Sequence, residues 1–369
     1  MSRPKKSAEV ALQSVASELK GIAGFSTATS VLKPKEFIST GFDSLDEMLY
    51  GGFPLRKVIH ISGNPSQGKS LMCYRLTAMA QRQYPNKYVV YVDTEYSYDA
   101  DWATRQGINN SQVLLVQNNI AEETHKKIVD AIKSDKVSAV ILDSVGNEQI
   151  ESQSWIAEKR NIQPGQFAKA IKALMLDVVP LIHEKDVCFV TTNQISSKIG
   201  GNNYGPTTDN PGGHNLKHNI QLNLSLRKIE DVLDSSTKEI IGVKVAVTVN
   251  KIKYGVVSKT DESNHPIFYN DNGIEKARVL NLYDDAVRAD IVTTGTWIKV
   301  QDKNQNVLLR MQGLNKFKER FLEPEFYNAI KQLINGSTTV ELPPEPITVA
   351  KSNAGNEEEE NLSSDDEEV

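Results

Sequence analysis

Eight consecutive residues, Gly63-Asn64-Pro65-Ser66-Gln67-Gly68-Lys69-Ser70, fit the pattern G-x-x-x-x-G-K-[ST]. They stand between an apolar run, KVIHIS, and a stretch with helical spacing from about Lys69 to Tyr84. A strand before and a helix after is the context that a phosphate-binding loop requires. The glycines let successive backbone N–H groups turn inward on phosphate oxygens, and the positive end of the following helix adds to the attraction. Lys69 would reach the β- and γ-phosphates and the Ser70 hydroxyl would bind Mg²⁺, with Leu71 continuing the phosphate-facing start of the helix. The ligand implied is a nucleoside triphosphate with Mg²⁺.

Such a site needs a second metal-side carboxylate at the end of a neighbouring strand. Val140-Ile141-Leu142-Asp143-Ser144 supplies an apolar strand closing on Asp143, which also fits a turn starter or helix cap when read alone. Hydrolysis needs a group to orient or deprotonate water. Asp93-Thr94-Glu95 follows the run YVVYVD at the strand end where ligands gather in open α/β sheets, making Glu95 the candidate base and an exposed loop glutamate the plainer reading. Gln194 closes VCFVTTNQ, where an amide would report the γ-phosphate; spacing alone leaves that open.

The elements that must position these groups follow from the pattern of apolar runs. KVIHIS, YVVYVD, VLLVQ, SAVILDS and VCFVTTNQ alternate with helix-length stretches near 69–84, 121–135 and 166–185. Near-continuous β-branched runs separated by helices predict βα units and a mostly parallel sheet buried on both faces, an α/β fold. After residue 213, IQLNLSLRKI and GVKVAVTVNKI read as adjacent strands that extend the sheet antiparallel. Residues 8–22 read as a short amphipathic helix, and TATSVLKPKE as a linker.

Composition bounds the rest. The 369 residues are 39 % apolar and 24 % charged, an ordinary globular balance that excludes disorder throughout. No run approaches the ~20 apolar residues of a membrane helix, and MSRPKKSAEVALQS lacks the apolar block of a secretory signal, so a cytoplasmic protein without membrane contact is expected. Cys73 and Cys188 are far apart and read as small buried apolar residues rather than a redox pair. The net charge of −5 hides an asymmetry, because residues 352–369 hold eight acids and no base and leave the body mildly basic. The acidic run reads as a disordered tail, either a solubiliser or a regulator of a basic surface.

Together these residues resemble the RecA recombinases, including the phage UvsX-like branch, from about Glu36 to Asn335. Ile38-Ser39-Thr40-Gly41, Ser44-Leu45-Asp46 and Gly51-Gly52-Phe53-Pro54 resemble the lead-in of RecA-like ATPases, and Glu95 falls at the family's catalytic glutamate. Asn193-Gln194-Ile195 and Lys198-Ile199-Gly200 look like the phosphate-sensing glutamine running into a second DNA-binding loop. That loop spans about 195–213 and includes Ser196, Lys198, Gly200, Gly201, Gly212 and Gly213. A first DNA loop falls at about 152–166, with Lys159 and Arg160 as phosphate contacts. Asp99 and Trp102 fall where the family holds adenine, Trp102 replacing the usual tyrosine with an indole that stacks on a base equally well, and ordinary core being the plainer reading.

Where family members place two cations that reach a neighbouring subunit's ATP, Asn250-Lys251-Ile252-Lys253 offers Lys251 and Lys253. Bacterial spacing would instead select Val249 and Lys251. Phe25-Ser26-Thr27-Ala28 resembles a polymerisation motif that Phe167-Ala168-Lys169-Ala170 fits too. The resemblance implies four parts: an N-terminal helix and polymerisation linker (1–35), an ATPase core (36–278), a small α/β domain for duplex DNA capture (279–342) and an acidic tail (343–369). In the third part Lys303, Arg310, Lys316, Lys318 and Arg320 read as a basic surface.

The implied activity is ATP-dependent strand exchange by a homo-oligomeric filament on single-stranded DNA paired with a double-stranded partner, with single-strand-binding and loading mediator proteins as further partners. A ring helicase or a non-hydrolysing ATP-binding mediator are the rivals. The implied location is the cytoplasm, a host's if the source is a phage. Deleting residues 352–369 is expected to tighten duplex DNA binding at low salt; unchanged affinity in a salt titration would leave the tail as a solubiliser.

Overall fold

Runs that are apolar at nearly every position become strands covered on both faces. The computed structural model describes residues 15, 36–150, 165–194, 196–197, 208–209, 213–234, 237–255, 262–268 and 273–344. The expected N-terminal helix apart from Val15, Phe25, Lys159 and Arg160 of the first DNA loop, the loop positions Lys198, Gly200, Gly201 and Gly212, and the acidic run 352–369 lie outside them. The chain forms two units, divided between Ala289 and Asp290.

In the first unit, β1 (Phe37–Ile38), α1 (Asp43–Met48) and β2 (Phe53–Pro54) lead into β3 (Val58–Gly63), α2 (Lys69–Gln83), β4 (Tyr88–Asp93), α3 (Ala100–Arg105) and β5 (Val113–Val116). Then come α4 (Ala121–Lys133), β6 (Val137–Asp143), α5 (Gln166–Lys185), β7 (Cys188–Gln194), β8 (Ser196–Ser197), β9 (Thr208–Asp209) and α6 (Gly213–Asn219). The unit closes with β10 (Ile220–Leu233), β11 (Ile240–Ile252), β12 (Glu262–Phe268) and α7 (Gly273–Arg288). Among the described residues, the strands and helices expected between Lys57 and Ile252 therefore form within a few residues of their sequence positions. The eight-stranded sheet has the order β12-β11-β10-β3-β7-β6-β4-β5. From β10 to β5 every pair is parallel, and β11 and β12 add antiparallel, as the two long strands after residue 213 imply.

The two sheet faces carry separate cores. Ile59, Ile61, Tyr91, Ile141 and Val190 pack with Met72 and Leu76 of α2 on one face. Val58, Val90, Val140, Leu142 and Phe189 pack with Ile128 of α4 and Leu174, Val178 and Ile182 of α5 on the other. Each fully buried aliphatic side chain contributes roughly 1.5–3 kcal/mol, so covering both faces is what holds the parallel strands in place.

The residues ahead of the sheet are tied down by polar contacts. Asp46 accepts from Ser39 Oγ at 2.5 Å, and from Thr40 N and Thr40 Oγ1, each at 2.6 Å. Buried Arg75 of α2 donates to Thr40 O at 2.6 Å and Gly41 O at 2.8 Å, with its guanidinium 3.7 Å from the Phe42 ring centroid. The lead-in motif thus clamps the chain onto the helix that follows the phosphate loop.

Two features differ from the sequence expectation. The core unit does not end at 278, because α7 is continuous through Arg288 and the unit runs to Ala289. The edge strand β12 also escapes a reading by apolar pattern, since ESNHPIF is mostly polar.

The second unit contains an antiparallel sheet, β13 (Val292–Thr293), β14 (Ile298–Gln301) and β15 (Val307–Met311), followed by α8 (Leu314–Glu319) and α9 (Pro324–Ile334). Phe317, Phe321 and Phe326 pack edge to face with centroids 5.4–5.9 Å apart. Arg320 does not join the expected basic surface. It is 3 % exposed, lies 4.6 Å from the Phe326 ring, pairs with Glu323 and donates to the carbonyls of Pro343 and Pro344. Lys303, Arg310 and Lys316 are exposed and Lys318 is half-buried.

His60 lies wholly buried in β3, with Nδ1 2.9 Å from Thr191 Oγ1 and Nε2 without a hydrogen-bond partner. Burial pushes its pKa from 6.5 down to about 4. The folded state keeps the ring neutral while the unfolded chain takes a proton below pH 6.5, so this contribution is present above that pH and is lost as the pH falls toward 4. The full loss is about 3 kcal/mol. Denaturant unfolding of the wild type and His60→Gln at pH 7 and pH 5 is expected to show a smaller acid loss in the variant by roughly 2 kcal/mol; equal losses would refute the buried neutral ring.

Candidate active site

Parallel register delivers the chemistry to one end of the sheet. Gly63 closing β3 pairs with Gln194 closing β7, and Asp93 closing β4 pairs with Asp143 closing β6. The loop after β3 is built by backbone geometry. Ser66 and Gly68 have positive φ, 58° and 89°. A side-chain carbon added at Gly63 would come 2.8 Å from Leu226 O, so only glycine fits there. Left-handed positions alternating with other conformations before a helix start turn successive backbone amides inward into the concave set that anions occupy. Ser70 is exposed in the first turn of α2, whereas the Leu71 side chain is buried in the core, so only its backbone faces that end. Gln67 turns its side chain away and accepts from the backbone N–H of Lys228, anchoring the loop to β10.

Lys69 is buried and donates to Gly63 O at 3.0 Å and Asn64 O at 2.9 Å, its carbon stem packed and its ammonium directed at the loop. Burial lowers its pKa, while the nearby negative charges of Asp143 and Glu95 oppose the shift. One lysine, two carboxylates and the loop therefore share a single electrostatic site.

Asp143 is 6 % exposed and accepts from Tyr91 Oη at 2.8 Å and Thr192 Oγ1 at 2.6 Å. Glu95 is exposed, and its Oε1 accepts from Asn147 Nδ2 at 2.6 Å and Ser144 Oγ at 3.2 Å. Thr94 joins the two strand ends: its N donates to Asp143 O, and its hydroxyl donates to Ser144 O at 2.8 Å and accepts from Ser144 N at 2.9 Å. Ser70, Asp143 and Glu95 offer hard oxygen donors, the set that suits Mg²⁺ rather than a thiophilic metal. Together with the glycine-built cradle, this donor set fits a Mg²⁺–nucleotide ligand.

Other predicted residues are placed differently. The Asp99 carboxylate caps α3 by accepting from Trp102 N at 2.8 Å. Trp102 is 37 % exposed and meets the Tyr74 ring edge-on at 6.0 Å, so it is not simply core. Lys251 and Lys253 lie toward the end of the sheet where β3 begins, away from their own phosphate loop: Ile252 pairs with Leu222, which pairs with Ile59. Their ammonium groups donate to Lys217 O at 2.7 Å and His218 O at 2.9 Å, at the carbonyl end of α6. Ser196 and Ser197 pair with Asp209 and Thr208, joining the two flanks of the expected second loop, and Gly213 starts α6.

Sequence reasoning missed Tyr91, Thr192, Ser144 and Asn147. Strand parity was the available signal for Tyr91, which shares a face with Asp93. The neighbours across the sheet had no such signal, since strand order is not sequence order.

The fold and this site define an α/β P-loop nucleotide-binding core. Residues 10–275 match the family model of the RecA N-terminal domain. The chain is 30 % identical over 301 residues to Protein RecA of Phytoplasma mali (strain AT), covering 81 % of this chain and 85 % of that protein. It is 29 % identical over 307 residues to Protein RecA of Borrelia duttonii (strain Ly), covering 81 % and 80 %. It is 27 % identical over 338 residues to Protein RecA of Aquifex pyrophilus, covering 90 % and 92 %. The chain belongs to the RecA family.

Replacing Glu95 with Gln keeps the hydrogen-bonding shape and removes the negative charge. Nucleotide binding is expected to persist while ATP turnover falls about 100-fold or more; unchanged turnover would remove Glu95 from the chemistry.

Proposed function

We propose that the protein is an ATP-dependent DNA recombinase that polymerises on single-stranded DNA and exchanges strands with a homologous duplex. The observation that carries this reading is the gathering of the phosphate loop, Lys69, Asp143, Glu95 and Gln194 at one end of the sheet, in a chain of the RecA family. Backbone amides of the loop and Lys69 hold the phosphates, and Ser70 and Asp143 hold Mg²⁺. Held there, Mg²⁺ would supply neutralisation of charge on the transferred phosphoryl group. Glu95, oriented by Asn147 and Ser144, takes the proton of the attacking water. Trp102 stacks on the base.

Gln194 couples the nucleotide to DNA. It closes the strand that pairs with β3, opposite Gly63 at the start of the phosphate loop, and leads within two residues into the β8/β9 ladder at the base of the second DNA loop. ATP then favours the DNA-gripping arrangement and hydrolysis releases it. Lys159, Arg160 and the glycines of the second loop contact DNA backbone, and the second unit with Lys303, Arg310, Lys316 and Lys318 captures duplex DNA.

Two observations support a filament. The edge strand β5 leaves Leu114 and Leu115 42 % and 41 % exposed, a strand open to addition by another copy. Lys251 near the end of β11 and Lys253 just beyond it, with one residue between them, point together at α6 and lie away from their own phosphate loop, so they serve the ATP of a neighbour. That paired spacing also supports the UvsX-like branch, since Val249 is an apolar core residue. Single-strand-binding and loading proteins are the mediators of this reading. No helix among the described residues is long and apolar enough to cross a membrane.

The test is ATPase activity with Mg²⁺, with and without single-stranded DNA, with electron microscopy of the same samples. Stimulated turnover with helical filaments is expected. Closed rings would point to a helicase, and no turnover without polymer would leave an ATP-binding accessory protein.

A further inference from the structure

Two buried hydroxyls grip Asp143, and neither is explained by packing. Tyr91 Oη donates to Oδ2 at 2.8 Å and Thr192 Oγ1 to Oδ1 at 2.6 Å. Tyr91 is 2 % exposed and Thr192 is fully buried, so neither hydroxyl can turn to solvent instead. The donors come from β4 and β7, the two strands that flank β6 in the sheet, and reach the carboxylate from opposite sides. Phenylalanine and valine would fill the same volumes without bringing a polar group into the core, where an unsatisfied hydroxyl is costly.

The Tyr91 ring is itself fixed. It lies 5.7 Å from the Tyr74 ring and 5.1 Å from the Tyr98 ring, and Tyr98 Oη donates to Asn110 Oδ1 at 2.7 Å. Thr192 stands two residues before Gln194 on the same strand. With one donor on each oxygen, the carboxylate cannot rotate about its terminal torsion without breaking both bonds. It therefore presents one fixed set of remaining lone pairs toward the phosphate loop.

We propose that Tyr91 and Thr192 are positioning residues that fix the orientation of the Asp143 carboxylate for Mg²⁺ bound with nucleotide. This rests on the reading of Asp143 as the metal-side acid. Hydrogen bonds to charged groups are strong enough that losing one changes metal affinity by about tenfold.

The test is Mg²⁺ titration of the binding of a fluorescent, slowly hydrolysed ATP analogue to the full chain, which reads affinity without turnover. Tyr91→Phe and Thr192→Val are each expected to raise the half-saturating Mg²⁺ concentration about tenfold. Thr192→Ser, which keeps the hydroxyl, is expected to stay within about twofold of wild type, a rescue that a packing role would not produce. Asp143→Asn is the control. If it shifts the titration while Tyr91→Phe and Thr192→Val do not, the positioning role is overturned and the metal-side reading stands. If Asp143→Asn also leaves the titration unchanged, the metal-side reading falls and the proposal with it. Should Thr192→Val not fold, Tyr91→Phe alone decides.

Discussion

The parallel register of the central strands is the constraint on which the site depends. A parallel ladder sends every strand out at the same end, so residues distant in sequence meet there without a loop having to carry them. Gly63 beside Gln194 and Asp93 beside Asp143 are consequences of pairing, not of local sequence. A slip of one residue in β6 would turn Asp143 into the opposite core and bring Leu142 to the loop. The apolar packing of α2 on one face and α4 and α5 on the other prevents that slip, so catalytic geometry and core packing are the same interaction seen from two sides.

Such a site places polar groups inside an apolar sheet, and the chain satisfies most of them through neighbours rather than water. Asp143 takes donors from both flanking strands, Thr94 bridges two strand ends, and Lys69 rests on loop carbonyls. His60 is one exception among the described residues, with one ring nitrogen bonded and the other without a hydrogen-bond partner. Its neutrality is therefore a condition of the fold, and the cost appears only in acid.

Much of this was legible in the sequence, and what was not has a physical reason. β3, β4, β6, β7, α2 and α5 were readable because strands buried on both faces are continuously apolar and end where polar residues begin. β12 was not, since it is an edge strand that tolerates Pro266 and hides His265 among polar neighbours. α7 was obscured because its inward face carries Asn281 and Asp285: Asn281 bonds His265, Ser44 and Asp285, so polar residues stand where an apolar stripe is sought. In the site, Lys69, Asp143 and Glu95 announced themselves by motif, whereas Tyr91 and Thr192 required knowing that β4 and β7 flank β6. Arg320 misled for the converse reason, because a charged residue in a basic stretch can still be buried when a ring, a carboxylate and two carbonyls receive it.

The position of Lys251 near the end of β11 and of Lys253 just beyond it, toward the opposite end of the sheet from the phosphate loop, has a consequence for stoichiometry. Under the proposed assignment each molecule carries two unlike halves of a catalytic centre, and a head-to-tail contact joins one half to the complementary half of the next. Complete centres then belong to junctions. An open row of n molecules has n − 1 of them, a lone molecule has none, and the two termini of the row are chemically distinct: one displays an unused loop and the other an unused pair of lysines.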